Sequence, residues 1–313
     1  GGNFTPKRRD RGVERLRSRF DQDGDGLISP AEVDADPAHI APDPQPPGLT
    51  LHRDIAYLGG PSVPDGLQML DIHVPAGAVA APVLVFIHGG GWAIGDKRRL
   101  DRKLLWWCGR GGIVVSVNYR LSPAVRHPAH IGDVAAAVAW VLDHIAEHGG
   151  DPQRVYVVGH SAGAHLAPLV ACDDRRLAAH GRKPGDLAGV ICLDGAGYDL
   201  PRRMEDTGTG IMASMFEAAF TTDRVVQEDA SPIHRLSGVL GAPPPFLIVH
   251  STLRGEARRQ AEALAGSLRS VGGRAEVRGF LKTHMAINQD LGDPGDPLTV
   301  AVEAFVAPVV PAP

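Results

Sequence analysis

The sequence predicts an α/β domain, a mostly parallel central sheet with helices on both faces, joined to a small helical appendage at the N-terminus. Three observations predict it. Continuous apolar runs at 83–87, 113–117, 155–158, 189–193 and 246–250 read as strands buried on both faces. Helical periods at about 98–108, 131–147, 162–171 and 256–270 alternate with them, the order of a parallel sheet covered on each side. Before residue 49 the pattern changes to an acidic loop and a proline-rich stretch, which sets the appendage apart.

The 313 residues suffice for one large α/β domain plus a short extra segment. A net charge of −4, from 32 basic and 36 acidic side chains, gives no electrostatic reason to expect nucleic acid or an anionic membrane as partner. A small-molecule substrate is the expectation that remains. Cys108, Cys172 and Cys192 are too few and too scattered for a disulfide framework or a zinc site, so buried thiols are expected. No run approaches the ~18 apolar residues of a membrane span, and no signal-peptide pattern is visible. The chain begins Gly1-Gly2 rather than with Met, so an artificial start and a processed one, with an export signal removed, both stay open.

Taken in order, residues 13–20 alternate apolar and charged positions as a short helix would, and the run Asp21-Gln22-Asp23-Gly24-Asp25-Gly26-Leu27-Ile28-Ser29-Pro30-Ala31-Glu32 follows. It meets every required position of the EF-hand calcium loop. A hard cation would take carboxylate oxygens from Asp21, Asp23 and Asp25, the Leu27 carbonyl, a water near Ser29 and both oxygens of Glu32, with Gly26 permitting the sharp turn. Only one such loop is present and its exit helix meets Pro37 after about two turns, which points to a structural Ca2+ rather than a sensor. Prolines at 42, 44, 46 and 47 make 41–48 a semi-rigid linker. The expected division is therefore 1–40 calcium-binding segment, 41–48 linker and 49–313 catalytic domain. Extracellular calcium loops of this kind are weak binders, so a secreted or periplasmic setting is expected.

After the linker, 54–57 and 67–74 alternate as half-buried antiparallel strands around a Gly/Pro turn at 59–66. The parallel units then begin, and two of their strands end in glycine-framed runs. Residues 83–87 lead into His88-Gly89-Gly90-Gly91-Trp92, and 155–158 lead into Gly159-His160-Ser161-Ala162-Gly163. In the second, flanking glycines let the chain turn sharply from strand to helix and leave the serine hydroxyl exposed. The first fits a loop whose backbone N–H groups hold an oxyanion. Active sites of such sheets lie at the carboxyl ends of the strands, where both runs sit.

A serine hydroxyl is a weak nucleophile and needs a histidine to take its proton and a carboxylate to orient that histidine. The chain order for this architecture is serine, acid, histidine, which leaves five of the 14 histidines as candidates. His165 lies in the helix after the serine, His180 in a polar loop, His234 after Ser231-Pro232 and His250 at a strand end. His284 follows the last strand-like run, 275–280, and is the expected base. For the acid, the loop after 246–250 offers only Glu256, which is preferred; Asp194, at the end of the preceding strand, is the rival.

These residues resemble a known family, the α/β-hydrolase carboxylesterases of the hormone-sensitive-lipase-like group. The resemblance is closest to the bacterial branch with feruloyl and acetyl-xylan esterases and kynurenine-formamidase-like enzymes. It rests on Leu70-Asp71-Ile72-His73-Val74-Pro75, the run from His88 to Trp92 with Gly95-Asp96-Lys97, Asn118-Tyr119-Arg120-Leu121, the serine turn, and Lys282-Thr283-His284-Met285. The resemblance implies an α/β-hydrolase fold with Ser161 as nucleophile, His284 as base and Glu256 at the acid position. It also implies an oxyanion hole of the Gly90, Gly91 and Ala162 amides, with no organic cofactor.

Two departures stand out. The acid loop lacks the family's usual Gly-x-x-Asp, and Pro168 inside the helix after the serine is expected to kink or shorten it. Trp92, His160 and Met215 are expected to shape the substrate pocket; Met215 belongs to a Met-rich segment, 202–227, that reads either as core or as a cap. Three functional readings follow: a carboxylesterase for acetyl or feruloyl esters of carbohydrates, a formamidase using the same residues, and a catalytically silent fold serving as a binding module.

Overall fold

A computed structural model describes residues 48–58, 66–236 and 241–306. The calcium loop at Asp21, Asp23, Asp25, Leu27 and Glu32, and the linker that follows it, lie outside the described residues. Eight strands form one sheet in the order β1-β2-β4-β3-β5-β6-β7-β8. They are β1 (Leu49–Ala56), β2 (Met69–Pro75), β3 (Ala81–Ile87), β4 (Ile113–Val117), β5 (Gly150–His160), β6 (Gly189–Leu193), β7 (Phe246–Ser251) and β8 (Ala275–Phe280). β2 runs antiparallel to β1 and β4, and every other pairing is parallel. This is the α/β-hydrolase fold, with an antiparallel hairpin at one edge of a parallel sheet.

The alternation of side chains along each strand divides the core into two layers. On β3, Val83, Val85 and Ile87 join one cluster while Leu84 and Phe86 join the other; on β5, Val155 and Val157 part from Tyr156 and Val158 in the same way. Helices α2 (Ala129–His144), α3 (Ala162–Cys172) and α8 (Gly255–Ser270) cover the first face, and α1 (Arg102–Cys108) and α10 (Pro297–Val306) cover the second. Both faces of the central strands are therefore dry, which is why these strands read as unbroken apolar runs. The three cysteines are free and buried among these layers.

From β3 the chain passes out to β4 and then returns across β3 to β5, so the order of strands reverses there. The carboxyl ends of β3 and β5 open a crevice at that switch point. Their register pairs Ile87 with Gly159, which brings the two glycine-framed runs side by side. Pro168 does not shorten α3, contrary to expectation: the helix runs unbroken from Ala162 to Cys172. Each of its residues is buried, and that packing outweighs one lost backbone hydrogen bond.

Between β6 and β7 lie three short helices, α5 (Leu200–Thr207), α6 (Ile211–Phe220) and α7 (Arg224–Asp229). Asp199 caps α5 by accepting the Arg202 N–H, and Asp223 caps α7 by accepting the Val225 N–H. The two remaining helices are α4 (Asp174–Ala178) and α9 (His284–Gln289). Among the described residues no helix is long and apolar enough to cross a membrane.

Candidate active site

Ser161 stands between β5 and α3 with φ 56° and ψ −113°, a conformation that costs a non-glycine residue roughly 1–3 kcal/mol. The surrounding packing enforces it. A Cβ on Gly163 would fall 2.1 Å from the Ile87 carbonyl oxygen, and one on Gly159 would fall 2.1 Å from the Gly163 carbonyl oxygen. Both obstacles are backbone, so neither side chain fits without moving α3 away from the sheet. Gly163→Ala is expected to lower stability by roughly 2–3 kcal/mol, read as a fall in the urea midpoint at unchanged slope.

His284 opens α9, whose first turn is capped by Thr283 accepting the Ala286 N–H at 3.2 Å. Its Nε2 lies 3.0 Å from Ser161 Oγ and its Nδ1 lies 2.6 Å from Asp194 Oδ2. The ionised carboxylate can only accept, so Nδ1 carries the ring hydrogen and donates to it, which leaves Nε2 bare toward Ser161 Oγ. His284 is held from behind by His160, whose Nε2–H donates to the His284 carbonyl at 3.0 Å. Burial, with the neighbouring His284 ring, pushes His160 down to about 3, which keeps it neutral and fixes this role.

The acid position differs from the preferred expectation. Glu256, in the first turn of α8, lies 3.0 Å from Arg254 Nε rather than on the histidine. The carboxylate on His284 is that of Asp194, at the carboxyl end of β6, fully buried at φ 53°. Its Oδ1 accepts the Ser251 N–H at 2.8 Å and its Oδ2 accepts Arg254 Nη1 at 2.6 Å as well as His284. Burial alone would raise the Asp194 pKa. Hydrogen bonds from His284 and Ser251 and the Arg254 charge overcome that and hold it below the ordinary carboxylate value. Arg254 Nη1 also lies 2.7 Å from His284 Nδ1; with the ring hydrogen committed to Asp194, that approach is a contact forced by two donors sharing one oxygen.

Glu256 is the carboxylate that follows the strand from which this fold usually delivers the acid. The loop after β7 contains an arginine and no aspartate, while Asp194 sits where β6 meets the same crevice.

Gly90 and Gly91 adopt φ 113° and 61°, and the Gly90 carbonyl is turned back to accept the N–H groups of Ala93 and Ile94. This leaves the amides of Gly90 and Gly91, with that of Ala162 at the start of α3, without acceptors among the described residues. His88 braces the loop, stacking on Tyr119 at 4.5 Å while the Tyr119 hydroxyl donates to the His88 carbonyl. Trp92 donates from Nε1 to His165 Nδ1 at 3.2 Å, and its ring packs edge-on against Phe220 at 4.7 Å. His165, driven down to about 3 by burial, stays neutral and donates from Nε2 to the Ala230 carbonyl.

Ser161, His284 and Asp194 open on a cavity of about 580 Å³, which Trp92, His160 and Met215 also line. The Met-rich segment serves two ends. Phe216 and Phe220 of α6 are buried in the core, while Met215 reaches over the oxyanion loop, its Cε occupying the space a Gly91 side chain would need. Among the described residues no group of three or more His, Cys, Asp or Glu side chains is arranged to hold a metal.

A serine on a strained strand-to-helix turn, a histidine and a buried aspartate, facing free backbone amides at the edge of this sheet, define the serine-hydrolase arrangement of the α/β-hydrolase fold. The chain belongs to the BD-FAE family, whose profile matches residues 70–255. It is 34% identical over 242 residues to the probable carboxylic ester hydrolase LipM of Mycobacterium tuberculosis, covering 73% of this chain and 54% of LipM. It is 31% identical to the carboxylic ester hydrolase LipN of the same organism, covering 81% of this chain and 70% of LipN. The chain thus spans about half the length of LipM, the first of these relatives. Esterase B of Lactobacillus rhamnosis shares the fold, with a TM-score of 0.70 at 22% identity over 95% of this chain and 96% of that one.

Proposed function

We propose that this chain is a serine carboxylic ester hydrolase working through an acyl-enzyme, with Ser161 as nucleophile, His284 as base and Asp194 as the acid. The observation that carries it is the 3.0 Å approach of Ser161 Oγ to His284 Nε2 beside three uncommitted backbone amides. Membership of the BD-FAE family and the likeness to LipM and LipN support the same reading.

Ser161 Oγ bonds to the ester carbonyl carbon as its proton passes to His284 Nε2, and the carbonyl oxygen, now negative, takes N–H groups from Gly90, Gly91 and Ala162. The imidazolium, stabilised by Asp194, gives that proton to the departing alcohol oxygen as the C–O bond breaks. Water then repeats the sequence: its proton goes to His284, its oxygen bonds to the acyl carbon, and Ser161 leaves with the proton returned. Acetyl and feruloyl esters of carbohydrates are the substrates proposed from the sequence resemblance. A panel of acetyl, feruloyl and formyl-amide compounds, combined with labelling by a serine-directed phosphonate, tests both levels. Labelling at Ser161 with ester turnover is expected; amide turnover exceeding ester turnover would favour the formamidase reading, and absence of labelling would end the hydrolase reading.

For the N-terminal segment we propose a structural Ca2+ held by Asp21, Asp23, Asp25, the Leu27 carbonyl and Glu32, in a calcium-rich exported setting. The match of the sequence to the loop pattern supports it. Chelation is expected to expose residues 1–40 to limited proteolysis while initial ester turnover stays within about twofold, since binding energy of this kind is linked to local folding. Immediate loss of all turnover on chelation would overturn the separation of metal from chemistry.

A further inference from the structure

The cavity at Ser161 is lined mostly by apolar and glycine surface, yet one wall holds a charge that the fold leaves unanswered. Arg203 of α5 is only 8% exposed and lines the cavity together with Met212, Met215 and Phe216 of α6. Its Nη1 donates to Thr207 Oγ1, its guanidinium stands 5.3 Å from the Phe216 ring centre, and its Nε is buried without a hydrogen-bond partner. Among the described residues no carboxylate lies within ion-pair distance of it.

The carboxylates nearby are already engaged. Asp194 holds His284, Arg254 and the Ser251 amide; Glu256, whose charge reaches Arg203 at longer range, is bonded to Arg254 Nε. Of the other carboxylates that line the cavity, Asp96 pairs with Arg98, and Asp101 accepts from Lys103 and Asn288. Burial lowers the Arg203 pKa from the usual arginine value, but an arginine stays protonated under any ordinary condition. Burying such a charge unpaired is costly unless something else supplies the opposite charge. Arg254, whose Nη2 has no partner among the described residues, lines the same cavity and adds a second donor.

Resting on the ester-hydrolase reading above, we propose that the substrate is an ester bearing a carboxylate on its acyl or alcohol half, with that carboxylate bound by Arg203 in the cap and the apolar body lying along Met215 and Phe216. The planar guanidinium, with Nε buried and unpartnered and Nη2 without a hydrogen bond among the described residues, has on that edge the paired N–H groups that a carboxylate accepts in bidentate fashion once the side chain turns it to the cavity. The cap thus contributes a charge-selective wall to the site.

Matched ester pairs test this on the folded chain: 4-nitrophenyl hemisuccinate against 4-nitrophenyl butyrate for the acyl half, and 4-acetoxybenzoate against phenyl acetate for the alcohol half. In one of the two pairs, kcat/KM corrected for leaving-group reactivity is expected to favour the anion by about tenfold or more, a preference that shrinks as salt is raised. Arg203→Met is expected to reduce that ratio by about 10- to 100-fold, mainly through KM, with Arg203→Lys retaining part of it. Neutral esters turned over with no anionic preference in either pair would overturn the proposal while leaving the hydrolase reading intact. Failure to hydrolyse any of the four would instead sink the reading it rests on. An anionic preference that persists in Arg203→Met, with only the melting temperature lowered, would assign Arg203 to the packing of the cap and likewise overturn it.

Discussion

Replacing Ser161 with alanine is expected to lower kcat for a short aryl ester by about 10⁴-fold or more, leaving a remnant due to the oxyanion amides and binding alone. The hydroxyl is the atom 3.0 Å from the His284 nitrogen, and among the described residues no second serine or cysteine lines the cavity to take over. Stability should hardly change, because alanine meets the same φ of 56° with a side chain no larger than serine's. The decisive measurements are burst kinetics with 4-nitrophenyl acetate and a thermal melt of the same sample. Near-normal turnover by a folded Ser161→Ala protein would refute the mechanism.

The second large effect concerns the acid. Asp194→Asn is expected to lower kcat by about 10⁴-fold at neutral pH, because an amide in place of the carboxylate can donate to Nδ1 and turn the imidazole to the wrong tautomer. The change also leaves the half-buried Arg254 guanidinium beside a neutral side chain, so the melting temperature should fall. Glu256→Gln is the control. Its carboxylate meets only Arg254 Nε, and kcat is expected to stay within about threefold of the parent because the ring hydrogen of His284 is untouched. Reversal of this order, with Glu256→Gln the more damaging change, would return the acid to the loop after β7. A depressed pKa places the stabilising charge of Asp194 above the ordinary carboxylate range. That stabilisation is complete at pH 5–7 and is lost only as pH falls through the lowered folded-state value.

The strands and both glycine-framed runs were readable in the chain because each obeys a local rule. A strand dry on both faces shows as an unbroken apolar run, and a turn that tolerates no Cβ shows as glycine at fixed spacing. Residues 113–117 emerge as β4 with those limits, 83–87 as β3 with two residues added at its start, and 155–158 lie within the longer β5. The partner of His284 obeys no local rule. Asp194 and Glu256 both follow parallel strands that end at the same edge, and only the direction of the chain after β6 decides which carboxylate reaches the ring. The same holds for His160, which looked like a pocket wall but also holds the His284 carbonyl across 124 positions of sequence. The cap was half legible. Its methionine and phenylalanine spacing marked an amphipathic stretch, while its division into three helices follows from the turns at Gly208 and Thr221 and from the caps at Asp199 and Asp223.

The amide of Ser161 donates to the carbonyl of Leu193, the residue immediately before Asp194, at 3.0 Å. One rung of the β5–β6 ladder therefore carries nucleophile and acid together, as two teeth on a single bar. The imidazole alone arrives on a separate arm, tethered by His160 and by the pairing of Lys282 with Asp290 and Asp296. Loosening that arm alone would part the ring from Ser161 and Asp194 while leaving those two joined through the sheet.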